Sequence, residues 1–293
     1  MAEFIYRKSD AFTSGQSRGN PAACIYLSAD GNLSSRQMQE IAAQHKGFVS
    51  EVVFCSPSAQ KDFDLAYYSS ECEVDFCGHG TIACMYSLIK NSPELLARKE
   101  IGIHTARKGD LTVYNFIADR DAVYITAPSP QFCGTDIDSA DIAATLGIDL
   151  PVVTGTYPVD MIDAGLRTLI VPICSLEQEI SIFPDETSLK AFCIKNNIDI
   201  ILIFSMDVSC AGSIAHTRVF APKFGYLEDP ATGSGNSAFA YYLLKNNLWD
   251  GCPASIEQGG NDRIFNVVKI TTLSGKVLFG GRATDRITGI YIV

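Results

Sequence analysis

Hydrophobic residues fall along this chain in short runs, and the spacing of the polar positions between them predicts the elements. Val49–Phe54, Phe63–Tyr68, Ile101–Thr105 and Leu111–Tyr114 read as strands, as do Ile200–Phe204, His216–Phe220, Ile264–Ile270 and Lys276–Phe279. A capping signature, Ser34-x-x-Gln37, opens a helix that runs through Gln44, and a second helix covers Ser188–Lys195. Two further runs, Ile82–Ile89 and Ala238–Leu244, are apolar on nearly every face. A helix of that kind must be covered all round. In a chain rich in short strands, the simplest cover is a sheet curled about it.

The order of these pieces repeats once, with corresponding pieces about 150 residues apart and few identical residues. The repeat predicts an α+β fold of two pseudo-symmetric domains, each a curled, mostly antiparallel sheet or barrel around a central helix. Pro, Ser, Gly and Asp accumulate between Pro128 and Asp136 and mark a linker. The expected domains are therefore 1–130 and 131–286, with the last strand, Ile287–Val293, free to return to the first, and an active site in the cleft between them.

Composition narrows the partners. Of 293 residues, 47% are hydrophobic and 19% charged, which excludes a disordered or fibrous chain. A net charge of −10 argues against nucleic acid and anionic membranes, since phosphate binding draws on clustered Lys and Arg. No apolar stretch is long enough for a membrane span, and the N-terminal residues carry no export signal, so a cytoplasmic protein is expected. The ten scattered cysteines are then mostly free thiols.

Each apolar run follows a glycine-rich turn: Gly78-His79-Gly80-Thr81 in the first repeat and Thr232-Gly233-Ser234-Gly235 in the second. A helix N-terminus presents free N–H groups and partial positive charge, and glycine lets a ligand approach the backbone. Two such ends suit a small carboxylate. Neither turn fits a phosphate-binding P-loop. Glu51, after Ser50 at the head of an apolar strand, is the candidate acid/base. The second repeat has no acid in the matching place. Asp229 and His79 lie beside or within the turns. Cys72, Cys77, His79 and Cys84 match no usual zinc spacing, so no metal is expected. Cys77 is a candidate thiol base, because a helix N-terminus lowers a thiol pKa.

Gly19-Asn20-Pro21-Ala22-Ala23, Ser50-Glu51, Cys77-Gly78-His79-Gly80-Thr81 and Glu228-Asp229-Pro230-Ala231-Thr232-Gly233-Ser234 occur in the order and spacing of the phenazine-biosynthesis PhzF-like isomerase family. Arg218-Val219-Phe220-Ala221-Pro222 and Gln258-Gly259 resemble its landmarks too. The resemblance implies a diaminopimelate epimerase-like fold and cofactor-independent isomerase chemistry on a small carboxylated substrate, and it allows a homodimer. It implies that Glu51 shuttles the proton and that Asp229 and His79 are polarising or hydrogen-bonding partners. Ser50, Gly78, Gly233, Ser234 and Asn20 map onto substrate-binding positions. The stretch Phe48-Val49-Ser50-Glu51 departs from the family's usual Asn-Leu-Ser-Glu, which leaves the substrate open. Two other readings stand beside this one: a cysteine-dependent racemase or epimerase using Cys77, and a small-carboxylate-binding protein without turnover.

Overall fold

The structure is a computed structural model that describes residues 2–28, 31, 33–153 and 155–293. The chain forms two compact units, Met1–Thr126 with Gly280–Val293, and Ala127–Phe279.

The first unit begins with β1 (Glu3–Ala11), β2 (Asn20–Tyr26), helix α1 (Ser35–Gln44), β3 (Glu51–Pro57), β4 (Phe63–Ser69) and β5 (Glu73–Val74). Helix α2 (Gly78–Lys90), β6 (Glu100–Thr105), β7 (Gly109–Asn115) and β8 (Val123–Thr126) follow. β2 runs parallel to β3, β3 antiparallel to β4, and β4 antiparallel to β5 but parallel to β6. The antiparallel pairs β6–β7 and β7–β8 complete this run.

The second unit holds β9 (Gln131–Phe132), β10 (Asp160–Asp163), β11 (Arg167–Pro172), helix α3 (Glu186–Lys195), β12 (Ile200–Ser205), β13 (Ser213–Phe220) and β14 (Glu228–Asp229). Helix α4 (Gly233–Lys245), β15 (Ala254–Gln258), β16 (Asn266–Leu273) and β17 (Lys276–Gly281) come next. The strand β18 (Ala283–Ile292) belongs to the first unit, where it lies antiparallel to β1, which is antiparallel to β2 in turn. β9, β10 and β11 show the same antiparallel order. Next come β11 parallel to β12, β12 antiparallel to β13, and β13 antiparallel to β14 but parallel to β15. Strand for strand these pairings match the first unit, with β9 standing where β18 does.

Packing explains the curl. α2 touches β1, β2, β3, β8 and β18, and α4 touches β10, β11, β12 and β16, so in each unit strands from across the sheet bend onto one helix. Nine of the 13 residues in each helix are buried, and burial on this scale leaves no polar face to turn outward. The other side of each sheet is covered too. Phe4, Tyr6, Ile25 and Phe54 pack with Ile41 and Ala42 of α1 in the first unit. In the second, Leu169, Val171, Ile201 and Ile203 pack with Leu189 and Cys193 of α3.

Ser34 caps α1 with the reciprocal Gln37 bond that its spacing predicts. Both central helices begin earlier than the apolar runs do, because the glycine turns are their first helical turns. β16 begins at Asn266, short of the predicted Ile264, whose side chain is 47% exposed. All ten cysteines are free thiols. No helix among the described residues is long and apolar enough to cross a membrane.

Candidate active site

In the first unit β3 and the start of α2 supply the chemistry. Glu51, the first residue of β3, pairs with Ala22 on β2 and Ser69 on β4, so its backbone is held from both sides. Cys77 takes an extended conformation and caps α2, its Sγ accepting the Gly80 N–H at 3.2 Å where a hydroxyl or carboxylate is usual. The Thr81 hydroxyl donates to the Cys77 carbonyl at 2.7 Å and bonds the Tyr67 hydroxyl, from β4, at 2.7 Å. A Cβ at position 80 would come within 2.9 Å of both Cys77 Sγ and Val53 Cγ2, so only glycine fits there.

This frame fixes His79, on the first turn of α2. Its Nε2 lies 3.2 Å from Glu51 Oε2 and its Nδ1 3.5 Å from Cys77 Sγ. The Glu51 and His79 side chains are 20% and 14% exposed, so a ligand can reach them. Burial opposes charge on His79, but the Cys77 sulfur and the Glu51 carboxylate outweigh it and raise the imidazole pKa well above its ordinary value. Burial pushes the Cys77 thiol up, with His79 opposing and Glu51 adding to the shift. The helix end therefore does not make Cys77 a thiolate, contrary to the effect expected from its position alone. Ser50 stands exposed just before β3, Gly78 opens α2, and Asn20 opens β2 two residues before the Ala22 that pairs with Glu51.

The second unit gathers Asp229, Gly233 and Ser234. β14 is anchored to β13 by the pairs Val219–Asp229 and Phe220–Glu228. The Thr232 side chain makes no capping bond to α4; its Oγ1 accepts from Gln258 Nε2 at 3.1 Å instead. The fully buried Gln258 ties this turn together: its Oε1 accepts from Thr232 N at 2.9 Å and Asn236 Nδ2 at 2.7 Å, and its Nε2 donates to the Asp229 carbonyl at 2.9 Å. A Cβ on Gly233 would sit 2.3 Å from the Phe279 ring, so the turn needs glycine against that ring. Arg218, 1% exposed, grips Glu228 with two parallel bonds of 3.0 and 2.8 Å and donates to the carbonyls of Glu179 and Ile182. The repeat has thus diverged chemically. Ile200 opens β12 where Glu51 opens β3, whereas Asp229 and Val74 are the last residues of β14 and β5.

Gln258 and Arg218 were visible in the sequence as landmarks without a role. A buried arginine needs a carboxylate and a buried amide needs several partners, and only the fold supplies them. The capping role of Cys77 has no signal in the sequence beyond its position before the glycine turn. The cysteine–histidine spacing considered above does not assemble: among the described residues the group of potential metal ligands is Glu51, Cys77 and His79, while Cys84 lies fully buried within α2.

The sequence profile of the PhzC-PhzF family, described as phenazine biosynthesis-like protein, matches residues 9–284, a span that includes both sets of residues. The chain belongs to the PhzC-PhzF family. Among PhzC-PhzF relatives, the chain is 31% identical over 270 residues to the uncharacterized isomerase YfhB of Bacillus subtilis, covering 88% of this chain and 87% of that one. It is 27% identical over 260 residues to trans-2,3-dihydro-3-hydroxyanthranilate isomerase of Pseudomonas fluorescens, covering 85% and 84%. The crystal structure of a Bacillus anthracis phenazine biosynthesis protein of the PhzF family superposes with a TM-score of 0.84 at 23% identity, over 100% of both chains. The PhzF fold is therefore that of this chain.

Proposed function

We propose that this PhzC-PhzF protein is an isomerase that moves a proton within a small carboxylated substrate, with Glu51 as its single acid/base. The observation that carries this reading is the Glu51–His79 pair, 3.2 Å apart on a frame fixed by two strands and a helix cap. Relatives named isomerases support the reaction class. The Glu51 carboxylate takes a proton from a carbon next to unsaturation. The C–H electron pair moves into the conjugated system, and the same carboxyl returns the proton to another carbon. His79, with Nε2 3.2 Å from Glu51 Oε2, offsets charge that develops near Glu51. The groups assigned to substrate binding are the Gly78 N–H, Ser50 and Asn20 in the first unit and the Gly233 N–H and Ser234 in the second, the helix ends suiting a carboxylate. Asp229 holds an amino or hydroxyl group. The relative named for a dihydro-hydroxyanthranilate points to an unsaturated carboxylic acid bearing such a group.

A positioned acid/base contributes about 10²–10⁴-fold in rate. Glu51→Gln is therefore expected to lower carbon-bound proton–deuterium exchange in heavy water by about that factor while the protein stays folded. The assay screens small unsaturated, amino- or hydroxyl-substituted carboxylic acids. Exchange that persists undiminished in Glu51→Gln defeats the assignment. A cysteine-based racemase is disfavoured, because burial holds the Cys77 thiol in its protonated form and the second turn, Thr232–Asn236, offers no partner thiol.

A further inference from the structure

We propose that the second unit carries a binding site of its own for a small zwitterion, a molecule with a carboxylate and an ammonium group a few bonds apart. The site is a cavity of about 380 Å³ bounded by Arg167, Asp136, Asn196, Thr135, Cys133 and Met161. It shares no residue with the groups assigned to proton transfer and does not depend on that reading.

The cavity follows from the way three elements end. The Cys133 N–H donates to the Met161 carbonyl at 2.9 Å, one step beyond the pairing of β9 with β10. Gly134, at φ +63°, then turns the chain away from the sheet. Thr135 Oγ1 accepts the Ile137 N–H at 3.2 Å, and Asp138 caps the helix Ser139–Leu146. On the other flank of β10, β11 begins at Arg167. The Arg167 backbone is tied twice to Asp199, its N–H donating to Oδ2 at 3.0 Å and its carbonyl accepting the Asp199 N–H at 2.8 Å. Asn196, the C-cap of α3, closes the wall with its Nδ2 on the Phe192 carbonyl at 2.9 Å.

Charge identifies the ligand. Eight arginines among the described residues pair with a carboxylate. Arg167 is not among them: Asp199, which holds its backbone, gives its other oxygen to Lys223 at 2.7 Å. The Arg167 Nε–H reaches Met161 Sδ at 2.9 Å, and a thioether is a weak acceptor that directs the guanidinium without answering its charge. In a chain of net charge −10, a half-buried cation without a carboxylate is out of place until a ligand brings one. Asp136, exposed on the same wall, also lacks an ion-pair partner among the described residues. The two opposite charges thus line one cavity without pairing with each other. A molecule that brings a carboxylate to Arg167 and an ammonium to Asp136 answers both, and a guanidinium meets a carboxylate with two parallel charge-assisted bonds. A simple anion would meet Asp136 as a like charge, and a simple cation would meet Arg167 so. The volume lies at the lower end of the roughly 300–1,000 Å³ usual for small-molecule sites, and the polar wall suits a small charged ligand better than an apolar ring system.

The probes are glycine, β-alanine and γ-aminobutyrate, which differ in the spacing of their charges, with acetate and methylamine as single-charge controls. Cys133 reports occupancy, because its exposed thiol lies on the wall. The full chain is treated with iodoacetamide in the presence of each probe, and alkylation is followed thiol by thiol by mass spectrometry, while calorimetry gives stoichiometry and affinity. At least one of the amino acids is expected to bind at one equivalent and to slow alkylation of Cys133 in proportion to occupancy, leaving the exposed Cys174 unaffected. Acetate and methylamine are expected to leave Cys133 unprotected. Arg167→Met is expected to weaken binding by on the order of 10–100-fold, the loss of a charge-assisted contact. Asp136→Asn is expected to let acetate protect Cys133, because the opposing like charge is gone. Glu51→Gln is expected to bind as the wild type does. Circular dichroism checks that each variant is folded, and the exposed Asp136 keeps the test open should Arg167→Met unfold. The site is refuted if no amino acid protects Cys133, if acetate or methylamine protects the wild type equally well, or if protection is indifferent to both Arg167→Met and Asp136→Asn. Protection lost in Glu51→Gln would place the ligand at the other set of residues and refute the site as well.

Discussion

Among the described residues each unit contains one close glutamate–histidine pair, and the two differ in burial. Glu51 and His79, 3.2 Å apart, keep 20% and 14% of their side chains exposed. Glu179 and His216, with Oε1 3.1 Å from Nδ1, are 0% exposed. Burial pushes Glu179 well above the carboxylate range, with Arg218 opposing and Glu228 adding to the shift. Burial likewise drives His216 down to about 4, against the pull of the Glu257 carboxylate and with the help of Arg218. Burial therefore drives the Glu179–His216 pair toward its neutral forms, whereas the surroundings of His79 shift it the other way. Taking ions out of water is what separates them. The consequence for stability has a definite sign. A glutamate whose folded pKa is raised contributes fully below its unfolded value of about 4.3 and loses that contribution as pH climbs toward the folded one. Glu179→Gln removes this dependence while keeping the shape. Urea unfolding at pH 5 and pH 8 is expected to show the variant gaining on the wild type as pH rises; a constant difference would mean that the pair is ionised.

At the scale of elements, the two central helices solve one capping problem in two ways. In α2 the Cys77 sulfur takes the Gly80 N–H, whereas the start of α4 relies on Gln258 from β15. Gln258→Ala leaves Thr232 N–H, Asn236 Nδ2 and the Asp229 carbonyl without this partner in a buried turn. Unsatisfied buried groups cost about 1–3 kcal/mol each, and Asn236 Nδ2 keeps its bond to the Thr232 carbonyl, so a loss of about 2–6 kcal/mol in unfolding free energy is expected, read by urea melts. The difference also shows what a sequence can reveal. The capping box of α1, strands β3, β4, β12 and β13, and the two fully apolar helices were all legible, because each carries a local signal. So were the two glycine turns, through their recurrence. β10 and β11 were not: β10 is four residues with Asp at both ends and β11 ends in Pro172, so neither carries a run as clear as that of the equally buried β12. Nor was the assembly of Glu51 with Cys77 and His79: 26 positions separate Glu51 from Cys77, and antiparallel pairing of β3 with β4 and of β4 with β5, together with the α2 cap, closes that distance.

For the whole molecule, the duplicated connectivity matters more than residue identity. Both units carry the same sequence of parallel and antiparallel pairings, yet Glu51, Cys77 and His79 have gathered in the first and the Asp229 turn in the second. The units differ most in one strand. β9 spans two residues, whereas its counterpart β18 spans ten and pairs along the whole of β1. Removing residues 283–293 is expected to strip hydrogen-exchange protection from β1 toward that of a fraying edge, while β12 and β13 keep theirs. Undiminished protection in β1 would show that β2 alone holds it.

That late strand also sets a timetable. The ribosome makes the 153 residues from Ala127 through Phe279 after the body of the first unit and before its closing segment. At roughly 5–20 residues per second, a nascent first lobe waits about eight to thirty seconds with the flank of β1 unpaired. Throughout that interval the open flank is a docking rail for any neighbouring polypeptide on the same polysome.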